Sequence, residues 1–370
     1  MSDKRPVVVY GASGYTGRLV CEFLRDFRLP FIAAGRDKAR IEAALEKVPG
    51  IEKADFEVVA VPHDADALAR VFDGAKVVCN TVGPFELHGE TVVRAALKAG
   101  VHYLDTTGEQ QFVLPVKRSF GDAYRKAGLL LAPSAAYMHT TLDLAVSCAA
   151  EHPEITSVSA VCAATGTPTY GSTQTVVRLA RADEYYLQDR KLVLWPRAKH
   201  YEVHVPLWSE SQLALPWSGT AVPVWYEGHA QIESMRVLVS FANNRALMEQ
   251  VVGLLQLYET QLKQLDRAAQ EQAFTNLGEQ IQSGMPPREN RQLHRSIDIA
   301  IGTGQTARVE YRIHSTCPYQ QTGLIQAYCA NRLVYGEPAA VGFQSPARAF
   351  GHRALLAALE QYGYARLERA

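Results

Sequence analysis

The stretch from Pro6 to Gly17, PVVVYGASGYTG, constrains this chain more than any other. Val7-Val8-Val9-Tyr10 is a short, apolar, β-branched run of the kind that a central parallel strand, buried on both faces, requires. Gly11, Gly14 and Gly17 follow at GxxGxxG spacing, and Arg18 to Leu24 continues with helical periodicity. Each glycine has its own task in such a turn. Gly11 permits the tight reversal, Gly14 lets the backbone approach a pyrophosphate, and Gly17 lets the helix lie close against the strand. Ser13, Tyr15 and Thr16 sit between these glycines, where the exposed amides of a helix start face an anion. Glycines also crowd ordinary turns; a strand before the motif and a helix after it are what mark a dinucleotide site.

The next strand end chooses the dinucleotide. Phe31-Ile32-Ala33-Ala34 reads as the second strand and runs into Gly35-Arg36-Asp37-Lys38-Ala39-Arg40. An NAD site places a carboxylate there for the ribose hydroxyls, whereas an NADP site places a guanidinium for the 2′-phosphate. Arg36 holds that position with Lys38 just behind it, so the expected cofactor is NADP(H). Asp37 is open to two uses, touching the ribose or serving as a helix cap.

Strands and helices then alternate at short spacing: a helix from Ala39 to Val48, a strand from Phe56 to Val61, a helix from Asp66 to Val71 and a strand from Lys76 to Asn80. This alternation is the signature of a doubly wound parallel sheet. Asn80-Thr81-Val82-Gly83-Pro84 follows the fourth strand, where the nicotinamide half of a cofactor passes; Gly83 permits close approach and Pro84 fixes the turn. Val101 to Asp105 is a fifth strand ending in Asp105-Thr106-Thr107-Gly108-Glu109, which serves either as a polar lip to a cleft or as a capping set for a short helical stretch near Gln110. A sixth strand, Ala127 to Ala132, leads through Tyr137-Met138-His139 to a helix reaching Ala150.

Near residue 150 the texture changes to longer strands with period-two alternation, which sets the boundary between a Rossmann domain at 1–150 and a second domain. The second part opens with the hydroxyl-rich loop Ala164 to Gln174, suited to a substrate's polar groups or to turn and cap chemistry. Residues 195–228 hold all four tryptophans and four prolines, so long regular elements are not expected there. Trp195, Trp208, Trp217, Trp225, Tyr201 and Tyr226 either line an apolar substrate pocket or cover a sheet. Arg295 to Ile301 and Ala307 to His314 read as an antiparallel hairpin turned at Gly302-Thr303-Gly304.

Composition excludes several classes. Lys plus Arg and Asp plus Glu both number 38, which gives neither a basic surface for nucleic acid nor an acidic one for a basic partner. The six cysteines are scattered without a CxxC pair, as expected of buried thiols in a reducing cytoplasm rather than a disulfide framework or a zinc site. The charged MSDKRP start leaves no room for a signal peptide, and no apolar run is long enough for a membrane span.

The segments YGASGYTGRLV, AAGRDKARI and CNTVGPFELHGETVVRAALKAGVHYLDTTGE together resemble the saccharopine dehydrogenase-like oxidoreductases, particularly the branch of bacterial trans-acting enoyl reductases. TGTPTYGSTQT and SPARAFGHRALLAALEQYG resemble it more loosely, and 191–290 least. The resemblance implies a Rossmann domain, a second α+β domain on a mixed or antiparallel sheet at 151–336 for substrate or dimerisation, and a C-terminal segment, 337–370, returning to the first. It implies NADP(H) and hydride transfer with a small molecule, whether lipid, polyketide or amino-acid-derived; a homodimer is a separate expectation.

For reduction of a C=C or C=N bond, hydride goes to carbon and a nearby acid completes the reaction. The candidates for that acid are Tyr170 and His139, with Asp105 and Glu109 as orienting or relay groups; there is no YxxxK pair of the short-chain dehydrogenase kind. Two alternatives share the fold: a non-catalytic NADP-binding redox sensor and a saccharopine-type amino-acid dehydrogenase.

Overall fold

A computed structural model of the chain describes residues 4–166, 168–216, 221–281 and 284–370. It divides into two compact units. The first takes the described residues of Met1–Thr107 with Phe112–Thr140 and Tyr319–Gly363; the second takes Gly108–Gln111, Thr141–Pro318 and Tyr364–Ala370.

In the first unit, β1 (Val7–Tyr10), β2 (Phe31–Gly35), β3 (Phe56–Ala60), β4 (Val77–Asn80), β5 (His102–Asp105) and β6 (Leu130–Ala132) are joined by a short return strand, Gly342–Phe343. The order is return strand, β6, β5, β4, β1, β2, β3, with every pairing parallel. This is the order of a Rossmann sheet, and its switch point lies where β1 meets β4. The burial follows the sequence pattern: β1 and β4 are buried at every residue, while edge strand β3 is not buried at any. Val7, Val8 and Val9 are fully buried, each worth about 1.5–3 kcal/mol against exposure.

The second unit is a mixed seven-stranded sheet. Its centre is β7 (Ser157–Ala164), parallel to Ser234–Phe241 and antiparallel to Arg295–Thr303. The hairpin partner Arg308–Thr316 and then Ala365–Arg369 extend one side; β8 (Tyr185–Gln188) and β9 (Lys191–Leu194) extend the other. Helices Tyr170–Arg178, Arg245–Thr260 and Arg267–Ile281 bury Val177, Met248, Leu255 and Phe274 in one core.

Several boundaries differ from expectation. The first unit closes at Thr140 rather than residue 150, and the chain re-enters it at Tyr319 rather than 337. That re-entry is a packing matter: a Cβ on Gly323, in helix Pro318–Tyr335, would lie 2.8 Å from the Leu19 Cβ, so this helix sits directly on the one after β1. The return also ends early, because Ala365–Arg369 pairs with Arg308–Thr316 in the second sheet. The short helical stretch near Gln110 is a full helix, Gln110–Lys126, despite Pro115.

Candidate functional site

At the carboxyl end of β1 the chain turns at Gly11, whose φ of +94° only glycine adopts readily. Its amide bonds the Ala34 carbonyl at 2.9 Å, tying the turn to β2. A Cβ on Gly17 would lie 2.3 Å from the Gly11 carbonyl oxygen, so close helix packing requires glycine there. Gly14 differs: its φ of −73° is ordinary, and a Cβ would meet only the Gly11 oxygen at 3.2 Å. A side chain at Gly14 is thus far less obstructed by the protein than one at Gly17, although the Gly11 oxygen must give by a few tenths of an ångström.

Helix α1 (Tyr15–Asp26) starts at Gly14 with no side-chain cap and no acidic residue in its first turn. Its first amides and the positive end of its dipole are therefore available to an anion. Ser13 and Thr16 are half-buried at this turn. The Tyr15 ring packs edge-on against Tyr319, with centroids 5.3 Å apart, and walls the turn, which leaves its backbone amide among the first of the helix.

Beyond β2, Arg36 is exposed and makes no ion pair among the described residues. Asp37 caps helix Lys38–Leu45 by accepting from the Arg40 amide at 3.1 Å, the second of the two uses open to it. Lys38 is exposed and 3.9 Å from Glu42. The strand end thus offers an anion one unpaired guanidinium, with Asp37 engaged elsewhere.

The ends of β4, β5 and β6 are tied by one buried network. Asn80 donates to the Tyr103 hydroxyl (3.1 Å) and accepts from the Val82 amide (3.1 Å), which holds the Thr81 to Pro84 loop over the sheet. Tyr103 donates to Asp105 at 2.8 Å; the other Asp105 oxygen accepts from the amides of Thr107 (3.0 Å) and Ser134 (2.7 Å). Gln326 donates to the backbone oxygens of Asp105 (2.7 Å) and Ala135 (2.8 Å). Asp105 is fully buried. Both carboxylate oxygens are occupied in holding strand ends, which fits the orienting alternative better than the relay. Asn80 likewise acts through the loop it shapes, and Gly83 and Pro84 lie in that loop, Pro84 leading into helix Phe85–Ala99.

His139 is 4% exposed at the start of helix His139–Ala150, and burial pushes its imidazole down to about 4. It is neutral near pH 7, which argues against its use as the acid. Glu109 belongs to the second unit, where it is buried and accepts from the Thr175 hydroxyl at 3.1 Å. Tyr170 opens helix Tyr170–Arg178, whose cap is Thr169 accepting from the Ser172 amide. Its side chain is half-buried, and its hydroxyl has no hydrogen-bond partner among the described residues. Thr165 accepts from the Arg295 amide at 2.9 Å, which ties the loop to the neighbouring strand, and Thr169 serves as the helix cap; Thr167 lies outside the described residues.

The aromatic stretch does not converge on one pocket. Trp195 packs edge-on against Tyr186 and Tyr201, Trp208 lies on the core around Ala163 and Ile297, and Tyr226 bonds Ser147 at 3.3 Å. Trp217 lies outside the described residues. Aromatic rings here mainly cover the sheet, although Trp195 with Arg197, Leu215 and Leu255 lines a shallow cleft.

Sequence reasoning missed two groups. Asp298, on the hairpin, is fully buried beside Thr141 and Cys162, and burial raises its carboxyl to about 7. His63, three residues past β3, accepts from or donates to the Tyr10 hydroxyl across 2.9 Å. Its place just beyond a strand's carboxyl end is a signal that could have found it.

The turn, the uncapped helix and the sheet order define a Rossmann-type dinucleotide-binding protein, and residues 7–130 match the saccharopine dehydrogenase NADP binding domain. The NADP(H) expectation is thereby supported at the level of the domain. Residues 140–367 match a family of unknown function, DUF5938. The chain belongs to DUF5938, and its first third is a saccharopine dehydrogenase-type NADP binding domain. It is 31% identical over 149 residues to a lipid droplet localized protein of Caenorhabditis elegans, covering 38% of this chain and 35% of that one. It is 31% identical over 164 residues to a human saccharopine dehydrogenase-like oxidoreductase, covering 39% and 38%. With a trans-acting enoyl reductase of Mycobacterium ulcerans it shares 34% identity over 122 residues, covering 32% and 28%. These matches take in little more than a third of the relatives' own length at most. A saccharopine dehydrogenase (L-Glu forming) of Saccharomyces cerevisiae has the same fold, with a TM-score of 0.60 at 13% identity over 99% of this chain and 100% of that one. No helix among the described residues is long and apolar enough to cross a membrane.

Proposed function

We propose that the protein is an NADPH-dependent reductase that delivers hydride to a C=C or C=N bond of a small molecule of lipid, polyketide or amino-acid origin. The observation that carries this reading is the uncapped start of α1 behind Gly11, paired with an exposed Arg36 that has no anionic partner among the described residues. That pair fits a pyrophosphate on the amides and a 2′-phosphate on the guanidinium. Gly11, Gly14, Ser13 and Thr16 cradle the first, Arg36 with Lys38 the second, and the loop Asn80 to Pro84 borders the nicotinamide half. NADPH, when bound, supplies the hydride.

The chain's own part is to orient the cofactor and to supply a proton. Tyr170 is the proton donor in this proposal, supported by a half-buried phenol without a protein partner among the described residues. Asp105 orients the strand ends of the first unit, and Glu109 accepts from Thr175 on the helix that Tyr170 opens, rather than either carrying protons. The second unit holds the substrate and is the face on which two copies pair; six buried free thiols are in keeping with a cytoplasmic setting.

Mixing the protein with NADPH and a library of enoyl and imino compounds, while following absorbance of the reduced nicotinamide, tests the activity. Turnover with at least one compound is expected, and Tyr170→Phe lowers kcat by about 10²-fold or more while NADPH affinity is unchanged. A variant with native kcat removes Tyr170 from the reaction. A protein that binds NADPH but turns over no compound favours a redox sensor.

A further inference from the structure

His63 stands at the carboxyl end of the sheet on the β2–β3 side, the side on which a Rossmann fold carries the adenosine half of its cofactor. The titratable groups that face it come from three elements: Tyr10 at the end of β1, Arg36 beyond β2, and His88 on helix Phe85–Ala99. The Tyr10 and His63 rings are nearly parallel, 10° apart with centroids 6.0 Å apart, and are linked by the 2.9 Å contact between the phenol oxygen and Nδ1. His88 packs edge-on at 5.1 Å. The imidazole is therefore fixed in place before any ligand arrives.

We infer that His63 is a second determinant of the 2′-phosphate site, acting beside Arg36 on the adenosine end of NADP(H). The inference rests on the cofactor reading above and adds a charge that this reading does not contain. Without ligand, burial and then the Arg36 charge hold His63 below its usual range, against an upward pull from the His88 backbone, so the ring is neutral near pH 7. A phosphate dianion seated on Arg36 cancels that repulsion and adds attraction of its own, which favours imidazolium. The added proton fits the hydrogen bond already present. Nδ1–H donates to the Tyr10 oxygen, since a hydroxyl can accept as well as donate.

The sign of the linkage follows. The complex holds more protons than the free protein, so affinity for NADP(H) rises as pH falls through the interval between the two ionisations of His63. NAD(H) lacks the phosphate and gains nothing. The 2′-phosphate itself begins to protonate near about pH 6, which opposes the effect, so the useful window lies above that pH.

Calorimetric titration with NADP⁺ and NAD⁺, whose adenosine halves are those of the reduced forms, tests this in buffers of different ionisation enthalpy. The native protein is expected to take up a fraction of a proton with NADP⁺ and to bind it about threefold or more tightly at the acid end of the window. NAD⁺ should show neither effect, and His63→Gln should lose both while keeping the native melting temperature. Tyr10→Phe keeps the imidazole but removes its acceptor, and should reduce the uptake even if His63→Gln does not fold. Native proton uptake in either variant, or equal uptake with NAD⁺, overturns the inference. A clear NADP⁺ preference with no proton uptake overturns it alone; no preference for NADP⁺ overturns it together with the cofactor reading.

Discussion

Arg36→Glu weakens NADPH binding by about two to three orders of magnitude and leaves NADH binding within a few-fold of native. The size comes from charge-assisted hydrogen bonds of about 1.5–3 kcal/mol each, two of which a guanidinium can give one phosphate, at about 1.4 kcal/mol per tenfold. The new carboxylate adds repulsion toward the 2′-phosphate and resembles the acidic residue that holds ribose hydroxyls in NAD sites. Because Arg36 is exposed and has no ion pair to lose among the described residues, the fold should be unaffected. Parallel titrations with the two reduced coenzymes check this. Equal weakening of both would remove the phosphate from Arg36.

The glycine turn separates folding from binding. Gly17→Val places a Cβ where the Gly11 carbonyl oxygen lies 2.3 Å away and the Ala12 Cα 2.8 Å away. Backbone cannot retreat without opening the β1 to α1 turn, and the loss should reach about 3 kcal/mol or more, visible as a fall in melting temperature or in soluble protein. Gly14→Val has ordinary backbone angles, φ −73° and ψ 166°, and one 3.2 Å contact to accommodate. It should melt close to the native temperature yet bind no NADPH, because the side chain occupies the pyrophosphate's approach. Native-like NADPH affinity in Gly14→Val would mean that the cofactor phosphates lie elsewhere.

What was legible in the sequence was local. The all-buried runs of β1 and β4, the glycine triplet and the cap at Asp37 each depend on residues within a few positions of one another, and each is found where the pattern put it. The hairpin Arg295–Thr303 with Arg308–Thr316 was readable for the same reason. The helix Gln110–Lys126 runs well past the short stretch read near Gln110; it carries Pro115, whose local preference is outweighed by burial of Phe112, Val113, Val116, Phe120 and Tyr124. The return of the chain at Tyr319 could not be read, since it depends on Gly323 meeting Leu19 some three hundred residues away.

The site shows the same division. Arg36 and the turn were visible because their chemistry is written at strand ends. Asp105 carries the residue type of a relay, but only the long-range bonds from Ser134 to its side chain and from Gln326 to its backbone reveal it as a structural tie. His139 has the right ring for an acid, and burial, a tertiary property, takes its proton away. His63 is readable as a residue just past a strand end, but its pairing with Tyr10 needs β1, β2 and β3 side by side.

The most direct measurement is calorimetric titration of the purified, folded native protein with NADPH and NADH at one pH and salt concentration. Saturable binding of NADPH, at least about tenfold tighter than NADH, is the predicted result, equivalent to about 1.4 kcal/mol of preference for the extra phosphate. Equal affinities, or no heat with either coenzyme, would contradict a 2′-phosphate gripped by Arg36 above the start of α1.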